Sequence, residues 1–349
     1  MIRFLPLLAL LTVASLPAQQ RLGLKVGKWP RHNRPRGWLV YQTKHYQIQS
    51  QAGKEKAKRL ALHMEAMLKV YKKTFRPPKQ YNVVNAVKLF KDRKSFLAYS
   101  PTGPGAAGYY SKTEKELVFY DTNHWGDEPN QAVTGGPGGT PGRPPRQMDV
   151  LGVAAHEGWH QYFGWYVVSW IQIPSWVNEG MGDYYYSAAP KSVRQKRGKK
   201  TPLKVGRMNA ARLPVIRWAV TKGKHVPFKQ IMRYEQRQYY SNPSVCYAQG
   251  WSMCHFFLHH KDKKVRALIP RYIARFRQRK QWQKNHKAIF GRVDLDTLEK
   301  EWKQWVLQQR MPGTPAPDKK PIEQPNGKKG SAKKLPQQKQ PERRPATRD

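Results

Sequence analysis

Residues 151–163 read LGVAAHEGWHQYF, an apolar run that carries His156, Glu157 and His160. Positions i and i+4 share one face of a helix, so the two imidazoles can reach one metal ion while Glu157 is turned aside toward a water at that ion. Such a pattern arises by chance in on the order of 1% of chains of this composition, so it needs a third ligand to carry weight. Gly158, inside the same turn, costs about 1 kcal/mol relative to alanine. That cost predicts a close approach at this point, by another backbone or by a substrate.

The next predicted helix supplies the ligand. In PSWVNEGMGDYYY (174–186), Glu179 lies nineteen residues after His160, and Asp183 follows one turn later, where it can accept the free ring N–H of a ligand histidine. Between Glu128 and Glu235 the chain has only four carboxylates: Asp149, Glu157, Glu179 and Asp183. Three of the four fall where metal chemistry needs them, among apolar neighbours rather than on a solvated face. The expected centre is one Zn2+ per chain held by His156, His160 and Glu179, with a position left for water and Glu157 as general base.

HEGWH combined with NEG and Tyr184 resembles the gluzincin class of zinc metallopeptidases, and the Asn-Glu-Gly with a tyrosine five residues after the glutamate resembles its aminopeptidase N branch. That branch carries a Tyr-x-x-Gly motif whose tyrosine stabilises the oxyanion, and YAQG at 247–250 matches it. The resemblance therefore implies Tyr247 as an electrophile. The wider pattern, from HYQIQS through GYYSKTEKELVFYD to EKEWKQWV, is similar to the peptidase-MA-like domains of exported bacterial proteins. It implies a zincin-like metallopeptidase domain over about residues 38–309 and a peptide or protein substrate. No Gly-x-Met-Glu-Asn stretch is present, so the element with which aminopeptidases hold a free amino end is missing, and only the hydrolytic centre is implied.

The expected fold class is α+β: a small N-terminal mixed sheet, a largely helical C-terminal half and a disordered basic tail. Strands are expected over 38–50, over 82–90 and as a pair within 106–121, with helices from Lys54 to Phe75 and around Asp92–Tyr99. Residues 19–121 form this α+β part. The stretch 122–147 is crowded with Gly and Pro and has no hydrophobic period, which predicts a loop before the motif helix, either a flap over a cleft or an ordinary insertion. Residues 148–310 read as helices at 149–165, 175–187, 227–235, 244–260, 264–278 and 294–309; 311–349, rich in Pro, Lys and Gln, form the tail. His255, His259 and His260 are expected to pack or face solvent.

Residues 1–18 have a basic start, an apolar run and a small residue before a polar turn. This predicts a cleaved signal peptide and an exported chain, in a periplasm, at a cell envelope or outside the cell. The run is shorter than the roughly 20 apolar residues that span a bilayer, and no transmembrane segment is expected in the mature chain. Cys246 and Cys254 are the only cysteines. On one helix they would stand about 12 Å apart, too far for a disulfide, so two inert, partly buried thiols are expected.

The chain has 65 Lys and Arg against 22 Asp and Glu, a net charge of +43, of which the tail accounts for only +6. A basic body can attract an anionic polymer or envelope surface, through stretches such as RQKRGKK (194–200) and RFRQRKQWQKNHK (275–287). Solvated basic faces explain the same stretches equally well. The alternative to an enzyme is therefore a catalytically weak or inactive zinc protein that binds an anionic polymer. Retention of Glu157 weighs against it, because a structural zinc has no use for a base. A non-peptide amide or ester substrate remains open, as do endo- against exopeptidase action and the oligomeric state.

Overall fold

The alternating stretch at 38–50 is a hairpin, not one strand. β1 (Leu39–Gln42) and β2 (Tyr46–Ser50) pair antiparallel, with Leu39 opposite Ser50 and Gln42 opposite Gln47. No Gly or Pro announces the turn. Thr43 closes it by donating its N–H and its hydroxyl to the Tyr46 carbonyl, at 2.8 and 3.2 Å. The computed structural model describes residues 38–77, 82–100, 102, 106–125, 148–167, 173–187, 205–278 and 281–310. The signal segment, the stretch 194–200, most of the Gly/Pro-rich loop and the basic tail lie outside the described residues.

Helix α1 (Lys54–Thr74) connects β2 to β3 (Asn85–Phe90), which lies parallel to it. β5 (Glu116–Tyr120) is parallel to β3, and β4 (Gly108–Ser111) returns antiparallel along β5. The result is a mixed five-stranded sheet in the order β1-β2-β3-β5-β4, with β4 at one edge. α1 buries Leu60, Met64, Met67, Leu68 and Tyr71 in the main core with Ile48, Val87, Leu89, Leu117 and Phe119. The opposite side of the sheet has a smaller cluster, in which Phe96 of α2 (Arg93–Tyr99) meets Trp38, Phe90 and Val118. There Lys88 and Glu116 form a buried ion pair, and the Tyr99 hydroxyl donates to Glu116 Oε1 at 2.5 Å.

The remainder is helical: α3 (Val150–Val167), α4 (Ser175–Tyr186), α5 (Arg212–Thr221), α6 (Phe228–Ile231), α7 (Gln236–Ser241), α8 (Pro243–His259), α9 (Lys263–Arg266), α10 (Leu268–Phe276), α11 (Trp282–Phe290) and α12 (Leu295–Gln308). The α+β class holds. Three helices, α5, α7 and α11, were not expected. α5 contains Pro214, tolerated in a first turn whose N–H groups have no intrahelical partner. The helix expected over 227–235 ends early, at Ile231, and the one expected over 264–278 is broken where α9 gives way to α10.

α3 lies against α1 and the β4–β5 edge, α4 against α3, and α8 against α4. The last contact depends on glycine: a Cβ at Gly180 would lie 2.4 Å from the Gly250 carbonyl oxygen. Both cysteines are fully buried on α8 rather than partly so, and burial pushes the Cys246 thiol up to about 11. None of the described helices is long and apolar enough to cross a membrane.

His63 sits on the buried side of α1 against the backbone at Leu151, and burial holds it down at about 4. A histidine forced to stay neutral binds its proton more readily when unfolded, so stability is full above about pH 6.5 and falls as the pH drops toward 4. We expect His63→Leu to narrow the difference in unfolding free energy between pH 7 and pH 4.5 by about 2 to 3 kcal/mol, read from urea midpoints. An unchanged difference would remove His63 from the acid response.

Candidate metal centre

His156 and His160 come off one face of α3 with ring centroids 4.8 Å apart. Their Nε2 atoms face the same atom, Glu179 Oε2 on α4, at 3.2 and 3.4 Å. Their Nδ1 atoms are taken up elsewhere: His156 Nδ1 by Asp183 Oδ1 at 3.1 Å and His160 Nδ1 by Asn178 Oδ1 at 3.1 Å. An acceptor at Nδ1 keeps the proton there and leaves the Nε2 lone pair free. Without a metal a proton on His156 Nε2 bridges to Glu179 Oε2 at 3.2 Å; a metal ion in that proton's place would meet both Nε2 lone pairs and the carboxylate oxygen, so the donor set fits a cation. Among the described residues, His156, Glu157 and His160 form a group whose ligand atoms lie within 4.8 Å of one another and can hold a metal ion.

The two glutamates are distinguished by what else they touch. Glu157 Oε2 accepts the N–H of Tyr110 on the edge strand β4, at 3.1 Å. Glu179 turns Oε2 to both histidines and accepts the Tyr240 hydroxyl on Oε1 at 3.0 Å. Asp183 divides its oxygens likewise, with Oδ2 held by Arg212 Nε at 2.7 Å. Asn178, Tyr240, Arg212 and the Tyr110 backbone were not foreseen. Asn178 adjoins Glu179 in the NEG motif, which could have marked it; Arg212 and Tyr240 come from separate helices, α5 and α7, whose caps at Asn209 and Glu235 mark the helices but not their contacts with the site. Tyr247 lies one layer back, its ring stacked on Tyr240 at 6.0 Å and beneath the Arg212 guanidinium at 5.0 Å.

The charges respond to this packing. Burial alone would lower His156, but the Asp183 and Glu179 carboxylates outweigh it and lift the imidazole to about 10. Glu179 moves oppositely: burial would raise it, while His160 and His156 hold it well below the usual carboxylate range. Asp183 is lowered against its burial, chiefly by Arg212. Glu157 alone of the three is raised, by burial that the two histidines only partly offset. Positive charge is favoured at His156, and basicity is kept on Glu157.

The close approach expected at Gly158 is made by side chains of α1 rather than by another backbone; a Cβ there would approach the Met64 methyl at 2.8 Å and the Tyr71 hydroxyl at 3.1 Å. The glycine that seats the site is Gly182, where a Cβ would lie 2.7 Å from Cε1 and Nε2 of His156. Tyr184, part of the motif resemblance, points away and bonds His259 Nε2 at 3.0 Å. His255 bonds the Gly206 carbonyl at 3.0 Å and stacks on Trp305, a packing role. His260 pairs with Glu301 at 3.0 Å.

Residues 151–277 match the family model described as a protein of unknown function (DUF1570). The matched stretch opens on the second residue of α3 and contains all six residues of the expected site. No curated protein matches the chain.

The glycines give a paired expectation. The Met64 methyl is a side-chain tip that can swing aside, and alanine gains about 1 kcal/mol of helix propensity, so Gly158→Ala should melt within a few degrees of the parent. Gly182→Ala must push the His156 ring off its seat. We expect it to weaken metal binding by at least about 10-fold in a chelator competition, and parental affinity would mean that the ring is free to move.

Proposed function

We propose that this protein is an exported, zinc-dependent peptidase of the gluzincin type, with His156, His160 and Glu179 as ligands of one Zn2+ and Glu157 as general base. The observation that carries this reading is the convergence of two Nε2 atoms on one Glu179 oxygen while both Nδ1 atoms are held by Asp183 and Asn178. Zinc bound there supplies Lewis acidity, lowering the pKa of water and polarising the scissile carbonyl.

The chain's own residues do the rest. Glu157 has Oε2 engaged by Tyr110 N–H, which leaves Oε1 to take the proton of the attacking water and pass it to the leaving nitrogen. Burial raises Glu157, which favours proton acceptance. Asp183, fixed by Arg212, holds His156 in the tautomer with Nε2 free. Tyr247, whose ring packs on Tyr240 and Arg212 behind the centre, is assigned as the electrophile for the developing oxyanion from its place in the YAQG motif. A peptide is favoured over other amides because Glu157 is tied to β4, a sheet edge along which an extended chain can lie and pair.

Glu157→Gln should keep stoichiometric zinc and lose at least about 10²-fold in turnover of a mixed peptide library, whereas His160→Ala should lose zinc and turnover together. Parental turnover by the Gln variant would overturn the mechanism, and a parent protein that binds no zinc at neutral pH would overturn the whole reading. Tyr247→Phe tests the electrophile. Loss of an oxyanion donor costs about 10²- to 10³-fold in kcat with little change in KM, and an unchanged kcat removes Tyr247 from the reaction.

A further inference from the structure

Each carboxylate at the centre uses its two oxygens differently. Glu179 gives Oε2 to the histidines and Oε1 to Tyr240; Asp183 gives Oδ1 to His156 and Oδ2 to Arg212. The two outer partners are joined to each other, since the Tyr247 ring lies stacked on Tyr240 and also contacts the Arg212 guanidinium. His156, Asp183, Arg212, Tyr247, Tyr240 and Glu179 thus form a closed circuit of contacts that begins and ends on one imidazole. It draws on α3, α4, α5, α7 and α8, so no single helix sets the geometry.

We propose that Tyr240 is the positioning residue for Glu179: its hydroxyl occupies Oε1 and so confines the carboxylate to presenting Oε2 alone at the two histidines. Without that bond, Glu179 can rotate about its terminal torsion, a broad and roughly two-fold well, and present either oxygen or both. The consequence is for metal affinity and for the coordination position left to water, not for the chemistry of the tyrosine itself. Tyr240 suits the role because it is carried by a short helix directly before the Asn242–Pro243 junction, which aligns it with Tyr247 seven residues on. Its 37% exposure puts it at the rim, where loss of the hydroxyl leaves the core intact.

The inference rests on the zinc reading, and the experiment separates the two. Zinc is titrated into the metal-free parent, Tyr240→Phe, Tyr247→Phe and Glu179→Gln proteins against a competing chelator, and the absorption spectra of the Co(II)-loaded forms are compared. We expect Tyr240→Phe to bind zinc about 10- to 100-fold more weakly and to alter the Co(II) spectrum, while the metal-free protein melts at the parental temperature. Adding Tyr240→Phe to Glu179→Gln should then cause no further loss, because the hydroxyl acts through that carboxylate. Parental affinity and spectrum in Tyr240→Phe, or an equal further loss in the Glu179→Gln background, would overturn the inference. Failure of the parent itself to bind zinc would overturn the zinc reading, and is seen separately in the parent titration.

Discussion

Helix α4 is thin in two directions, and the site depends on it. Toward α8 it offers Gly180, which lets its backbone approach the Gly250 carbonyl; toward α3 it offers Gly182, on which the His156 ring rests. Residues 180 and 182 lie on nearly opposite sides of a helix with 3.6 residues per turn, so the same short motif is pared down on both flanks. Helix axes usually stand 8–10 Å apart according to the side chains between them. Removing the Cβ on each flank lets Glu179 and Asp183, one turn apart on α4, reach two imidazoles on α3 while α8 closes behind.

That closeness would be costly without charge balance, because a buried carboxylate is tolerated only when paired and hydrogen-bonded. The structure satisfies each one twice. Glu179 has the histidines and Tyr240, Asp183 has His156 and Arg212, and Glu157 has the histidines nearby and the Tyr110 N–H. In a chain with 65 basic and 22 acidic residues, collecting three carboxylates in one buried place is the reverse of the composition. It gives the centre a local field unlike that of the rest of the molecule, one that favours a cation among the histidines.

The N-terminal sheet and the helical half meet at Glu157. The sheet supplies α1, whose Tyr71 donates to the Ala155 carbonyl of α3 at 2.6 Å, and β4, whose Tyr110 N–H takes one oxygen of Glu157. Both contacts fix α3 along its length, and Thr122 ties the Met148 carbonyl just before that helix. The candidate base is therefore oriented by the edge of a sheet, and the candidate ligands by helix packing.

Much of the centre was legible in the sequence for a local reason. A helix repeats every 3.6 residues, so HEGWH and NEGMGD by themselves dictate that His156 and His160 share a face, as do Glu179 and Asp183. The α+β order and the unpaired state of the two cysteines followed from similar local patterns. The hairpin at 39–50, the helices α5, α7 and α11, and the parts played by Arg212, Tyr240, Asn178 and Gly182 were not read from the sequence. α11 carries a helical period in Trp282, His286, Ile289 and Phe290, and α5 and α7 have caps at Asn209 and Glu235, but nothing local says which distant side chains Arg212, Tyr240, Asn178 and Gly182 meet. Gly158 misled, since the same cost of a helical glycine is met there by the Met64 and Tyr71 side chains. Sequence thus determined which side chains each helix presents, because that is set by bonds within one helix. Which oxygen of each carboxylate faces which partner was decided only by five helices packing together, because a side-chain torsion is fixed by neighbours far away in the chain.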